Sequence, residues 1–227
     1  MSGVQQAVFQ NQRSFVVNPE SWPGNIGIAY AGGYFAGQIN DGGTVYNLVV
    51  APNASGAASG KSYKTTIGTI AGTTSDIDGY SNTSNLTGAS TPAGEFCWAL
   101  TIGGYSDWYL PATNEQEVVY YYLKPTTASN NTSSGSNPNA VAPEPVSTNY
   151  TSSEPPQTSA SVFITGNSEA FNDTGSASYY WASTQMSGGG AYPAYRADAQ
   201  YFANGLQGDG YKPNTAYTTR AIRKVAV

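Results

Sequence analysis

The chain has 227 residues and 39% apolar content, enough to bury one sizeable core, yet only 10% of it is charged, against roughly 25% in ordinary soluble domains. Solubility must come from Ser, Thr, Asn, Gln, Gly and Tyr, and 26 Gly and 13 Pro suit a β-rich, loop-rich architecture better than a helical bundle. Nine basic and fourteen acidic residues, with no basic cluster beyond Arg220, Arg223 and Lys224, argue against binding nucleic acid or a bare anionic membrane.

Residues 1–20 are polar with scattered apolar positions such as Val8, Phe9 and Phe15. They read as part of an N-terminal anchoring arm (residues 1–25) that docks on its own domain or a neighbour, followed by a single domain over 26–227. The opening lacks the apolar region of a signal peptide, and no apolar run approaches the ~20 residues needed to span a bilayer. The expectation is synthesis in the cytoplasm without membrane insertion. From Ile26 to Pro52 the sequence reads as strands and tight turns. Asn40-Asp41-Gly42-Gly43 is the turn, and Thr44–Val50 is a half-buried strand by its β-branched and aromatic content.

Residues 53–94 are rich in Ser, Thr and Gly with sparse apolar positions, the composition of a long surface excursion. Asp76-Ile77-Asp78-Gly79 within it reads as a turn, because Gly79 and Thr87 stand where a calcium loop needs other positions and residues. Phe96 to Leu110 is the densest apolar stretch, with Trp98 and Trp108. Its Cys97 is the only cysteine, so no disulfide forms within the chain, and its flanks suit a small core residue. The one main helix follows, near 114–124. Thr113 and Gln116 have capping-box spacing, Val118 with Tyr122 and Val119 with Leu123 form i,i+4 pairs, and Pro125 ends it. Glu115 and Glu117 point to different faces of that helix and read as partners of its dipole, not as a catalytic dyad. A second long stretch over 126–161, with five prolines, is either a flexible linker or a loop pinned on the domain surface. Three strand-like segments close the chain, Tyr179–Thr184, Tyr195–Gln207 and Thr218–Val227, separated at Gly188-Gly189-Gly190 and Gly208-Asp209-Gly210.

Histidine is absent, which removes Ser-His-Asp and Cys-His catalysis and most zinc sites. No enzyme, metal or cofactor is expected. Eighteen tyrosines are the most suggestive feature. In the last third Tyr192, Tyr195, Tyr201, Tyr211 and Tyr217 are interleaved with Asn204, Gln207, Asp209 and Asn214. Tyr couples a rigid apolar ring to a hydroxyl, so such a set suits recognition of sugars or proteins. The candidate ligand-binding residues are Tyr192, Tyr195, Arg196, Asn204, Gln207, Asp209 and Tyr211.

The run Gly104-Tyr105-Ser106-Asp107-Trp108-Tyr109-Leu110-Pro111-Ala112-Thr113-Asn114-Glu115 resembles the signature of the DUF1566 family, also called the Lcl C-terminal domain. Tyr179–Thr184, Phe202–Gly205 and Arg220–Val225 fit the same family in order. Gly33–Gly43 is similar to a version found in structural proteins of tailed phages. The resemblance implies an α+β, C-type-lectin-like fold with small twisted antiparallel sheets and long irregular loops. In it Trp98, Trp108, Leu110, Pro111, Trp181 and Arg220 would determine the fold. The lectin calcium motifs and the paired cysteines of oxidase relatives are missing, so neither activity is implied. The functional expectation is a phage virion surface protein on head or tail that contacts the host surface, a glycan or a protein. It would bind other virion proteins through its arm and assemble as a homo-oligomer, on the family pattern a trimer. A capsid decoration or cement protein, and a bacterial surface adhesin, are the alternatives.

Overall fold

The computed structural model describes residues 22–187 and 190–227. Most of the expected N-terminal arm therefore lies outside the described residues. Its last part is tied down: the Trp22 indole N–H donates to Gln38 Oε1 at 3.1 Å, and its ring meets Phe35 and Tyr122 edge-on.

Two sheets and one principal helix make an α+β architecture. The first sheet orders β1 (Ala29–Tyr30), β2 (Gly33–Asp41), β3 (Thr44–Val50) and the last strand, β9 (Ile222–Ala226), all antiparallel. The β2–β3 turn falls at Gly42-Gly43, where both residues adopt positive φ and the Asn40 side chain accepts from the Gly43 N–H. The second sheet orders β4 (Ala57–Ser59), β8 (Thr218–Arg220), β5 (Tyr179–Gln185), β6 (Arg196–Tyr201) and β7 (Leu206–Tyr211). Its pairs are antiparallel except for one parallel contact between β5 and β8. The C-terminal strand expected over 218–227 is in fact two. The chain breaks at Ala221 and passes from one sheet to the other.

Helix α4 (Thr113–Leu123) lies against both sheets and matches its expected span to one residue. It buries Val118, Val119 and Leu123, each worth about 1.5–3 kcal/mol when fully removed from water. Gly37 in β2 lets the helix come close. Its φ is +110°, and a Cβ there would stand 2.4 Å from the Tyr122 ring. The capping differs from expectation. Ala112 is the N-cap and Thr113 lies inside the helix, so the Glu115 carboxylate accepts from the Ala112 N–H while no side chain returns the bond. The Thr113 hydroxyl instead donates to Asp198 on β6 at 2.8 Å.

Trp108, Leu110, Pro111 and Trp181 are buried, and Arg220 is buried against Phe171 with its guanidinium on Glu169 at 2.8 Å. Trp98 is half-buried and rests on Tyr80, while its helix α3 (Pro92–Trp98) turns Ala93 and Cys97 inward.

The two low-complexity stretches are both ordered. Residues 53–94 are not a plain surface excursion. They form α1 (Asn53–Gly56), β4, α2 (Gly79–Ser84) and the start of α3, and they bury Tyr63, Leu86 and Ala93 completely. Residues 126–160 contain no helix or strand, only a bridge from Ala140 to Ile39, and are pinned by polar side chains. The Asn130 amide donates to Thr151 O and Pro155 O while its oxygen accepts from the Tyr120 hydroxyl.

Candidate functional site

The β6–β7 hairpin sets the candidate site. Sequence reading placed a separator at Gly208-Asp209-Gly210, but those residues lie inside β7, and the turn is at Phe202–Gly205. Gly210 is a strand residue because Trp181 and Tyr217 rest on it: a Cβ would stand 2.5 Å from each ring.

Strand alternation then separates the tyrosines. Arg196 pairs with Tyr211 and Asp198 with Asp209, so these share one face of the hairpin; Ala197, Ala199 and Tyr201 share the other. On that second face Tyr201, Tyr179 and Tyr217 stack in sequence, with centroids 4.5 and 4.8 Å apart, and Tyr217 continues onto Trp181 at 4.7 Å. Tyr201 and Tyr217 are thus partly buried in a packed ladder.

The exposed group is different. The short helix α5 (Tyr192–Tyr195) carries Pro193 in its first turn, where a missing N–H costs nothing. Tyr192, Tyr195 and Tyr211 are 60%, 40% and 44% exposed, far more than the core aromatics, and with Ala191 and Arg196 they line a concavity of about 300 Å³. Beside it Arg196 forms an ion pair with Asp209 at 2.8 Å, with the guanidinium side chain 42% exposed. That pair neutralises itself and leaves guanidinium N–H groups for a ligand.

Beneath the groove Lys212 is fully buried. Its ammonium donates to Pro193 O at 2.7 Å, Gly68 O at 2.9 Å and Gln185 Oε1, with no carboxylate among these partners. Burial, with Lys64 nearby, lowers its pKa to about 8. The Gly68 N–H also donates to Ala194 O, and the Lys212 N–H to Tyr195 O. Helix α5 is therefore held on a rigid base while its rings stay in solvent. Lys212 escaped sequence reading because nothing in Tyr211-Lys212-Pro213 distinguishes it from a surface lysine.

Of the seven residues expected at the site, the structure brings together Tyr192, Tyr195, Arg196, Asp209 and Tyr211. Asn204 and Gln207 are engaged elsewhere, one in the hairpin turn and the other by the 126–161 loop. Asn204 Oδ1 accepts from Leu206 N in the turn, and Gln207 Oε1 accepts from Gly135 N. A larger concavity of about 630 Å³, beside Trp22, Asn25, Ile26, Ser159 and Val162, has no charged side chain in its lining.

Glu115 and Glu117 do more than face the helix dipole. Both are fully buried. Glu115 accepts from Gly79 N, Ala112 N and the Tyr109 hydroxyl, and burial still pushes its pKa up to about 7. Glu117 accepts from the Tyr150 hydroxyl at 2.7 Å and the Asn137 amide at 2.8 Å. Asp78, expected in a turn, is the N-cap of α2 and accepts from Ser81 N. Among the described residues no three His, Cys, Asp or Glu side chains gather as a metal site would need, and no helix is long and apolar enough to cross a membrane.

Comparison with models of protein families, with curated proteins and with solved structures gives no match. The site has to be understood from its own chemistry.

Proposed function

We propose that the protein is a non-enzymatic binding module with a C-type-lectin-like, DUF1566-like fold, displayed on a phage virion and contacting the host cell surface. The observation that carries this reading is the groove formed by Tyr192, Tyr195 and Tyr211 beside the Arg196–Asp209 pair. Three exposed aromatic rings on a fixed base cost little conformational entropy on binding. Their faces and hydroxyls suit a polar, partly apolar ligand such as a glycan or a protein loop. Attachment to other virion proteins falls to the N-terminal arm, and weak single contacts gain strength from many copies on one particle, as in a homotrimer. The virion setting and the lectin-like fold rest on the resemblance of the Gly104–Glu115 run and the three later motifs.

The cement alternative needs residues 53–94 and 126–161 to clamp neighbouring subunits. Their anchors Tyr63, Leu86, Asn130 and Tyr150 are instead engaged within their own domain, which favours display over clamping.

Particles carrying Tyr192→Ala together with Tyr211→Ala should adsorb to host cells at least about tenfold less than wild type, the effect of losing little more than 1 kcal/mol of contact per copy. The purified variant should melt as wild type does. Unchanged adsorption would remove the groove from host attachment.

A further inference from the structure

A second cluster lies against helix α4. Glu144, in the 126–161 loop, is 3% exposed, and neither of its carboxyl oxygens meets a donor among the described residues. Its carboxyl lies beside that of Glu117, and each group acts on the other's titration. A hydrogen bond between two such carboxyls requires a proton on one of them.

Among the described residues no positive charge offsets the pair. From α4 it is faced by Tyr121 and Tyr122, and from the loop by Tyr150, hydrogen-bonded to Glu117, and by Glu154 on the same cavity. Lys124, at the end of α4, is oriented elsewhere: it donates to Ala128 O and Pro155 O and feels Glu154. Two carboxylates buried in contact without a cation cannot both ionise at moderate cost, so one proton is retained. A metal ion fits less well. Both Glu117 oxygens already accept from Tyr150 and Asn137, so donor hydrogens point where a cation would need oxygens, and calcium takes six to eight of them.

We propose that Glu117 and Glu144 share a single proton, and that this proton latches the 126–161 loop to helix α4 and to the strand that carries the tyrosine groove. The loop reaches that strand directly. Ser134 Oγ accepts from Gln207 N at 3.0 Å, the Gly135 N–H donates to Gln207 Oε1 at 2.8 Å, and the Tyr150 hydroxyl accepts from Gln200 on β6 at 3.2 Å. When the pair deprotonates, the proton leaves to water through the cavity of about 130 Å³ lined by Tyr121, Glu144, Tyr150 and Glu154. Two like charges then remain in contact, and the loop separates from α4. Burial and the facing carboxyl hold Glu144 well above its ordinary range. The folded chain thus keeps a proton that the unfolded chain has released, and attachment weakens as pH rises through that range.

Hydrogen exchange of the full chain between about pH 5 and pH 9, corrected for intrinsic rates, tests the latch. The probes are the N–H groups of Asn130, Ser147 and Tyr150, which bond Ser152 O, Asn137 O and Ser134 O. In wild type their protection should fall by about tenfold per pH unit once the pair's titration is passed, while β2 and β3 stay protected. Glu144→Gln keeps a donor to Glu117 but cannot titrate, so its protection should not change with pH. The protonated-carboxyl infrared band at neutral pH, to which Glu115 also contributes, should be smaller in E144Q than in wild type by one carboxyl, a readout independent of the variant's exchange. Protection that is flat in wild type, or that falls in parallel in wild type and E144Q, overturns the latch. So does restoration of wild-type protection at high pH by calcium chloride, which would make the pair a cation site.

Discussion

Two glutamates two residues apart on α4 hold the two low-complexity stretches, and they do so by different physics. Glu115 receives the Gly79 N–H and so seats residues 53–94, which also bury Tyr63, Leu86 and Ala93. Glu117 receives Asn137 and Tyr150 and so seats residues 126–161, whose order comes mainly from side-chain hydrogen bonds. Similar Ser/Thr/Asn-rich sequences are therefore ordered in one case by several apolar anchors with a polar pin, and in the other by many polar pins around one buried ring, Tyr150. Composition sets what a stretch cannot bury, but a few residues elsewhere decide whether it stays attached.

The largest effect should come from the apolar side. Tyr63→Ala removes a fully buried ring and the hydroxyl that donates to Ser183 O at 2.8 Å, and should lower stability by about 3–5 kcal/mol, read from denaturant midpoints at constant slope. An equal loss from truncating an exposed ring such as Tyr80 would dissolve the distinction.

Next comes the pin of the same stretch. Glu115 has its pKa raised from 4.5 to about 7, so the folded state keeps a proton that the unfolded state releases in that window. Glu115 should take on the order of 3 kcal/mol from stability as pH rises from about 4.5 to 7, and nothing further above that. Glu115→Gln should flatten that slope in thermal melts; a slope unchanged by the substitution would assign it to another group, Asp198 first, whose pKa burial raises to about 6.

The smallest effect is local. Asn130→Ala deletes three hydrogen bonds of the 126–161 loop and should cost about 2 kcal/mol. Proteolytic nicking should then concentrate between residues 126 and 156 while the sheets resist. Uniform loss of protection across both sheets would show that the loop belongs to the core's cooperative unit.

The legible parts of the fold were those governed by short-range pattern. The dense run to Leu110, Pro111, the i,i+4 apolar pairs and Pro125 fix α4, and β-branched alternation with a Gly-Gly turn fixes β2 and β3. The burial of Glu115 and Glu117 was not legible, because their partners Gly79, Asn137 and Tyr150 come from segments with no periodic signal. The β6–β7 turn was misplaced because Gly208 and Gly210 look like punctuation, whereas Gly210 is small for the sake of Trp181. At the candidate site, the excess of Tyr beside Arg196 and Asp209 pointed to the groove. Asn204 and Gln207 have the same polarity but are consumed by a turn and by the neighbouring loop, which spacing alone does not reveal.

The passage of the chain between sheets at Ala221 bears on how the molecule is made. Strand β3 finds its second neighbour only when β9 arrives, with Val50 opposite Ile222 across most of the chain. Until then the mostly apolar run Thr44–Val50 has an open edge, of the kind that joins to strands of other molecules. Closure over so long a separation is slow, because loop entropy is lost before any contact returns it. Yield in the cell should therefore depend on how long that edge stands open, and Lys224, whose ammonium reaches Asp41 at 2.8 Å from the strand that covers it, helps to fix the covering strand in register.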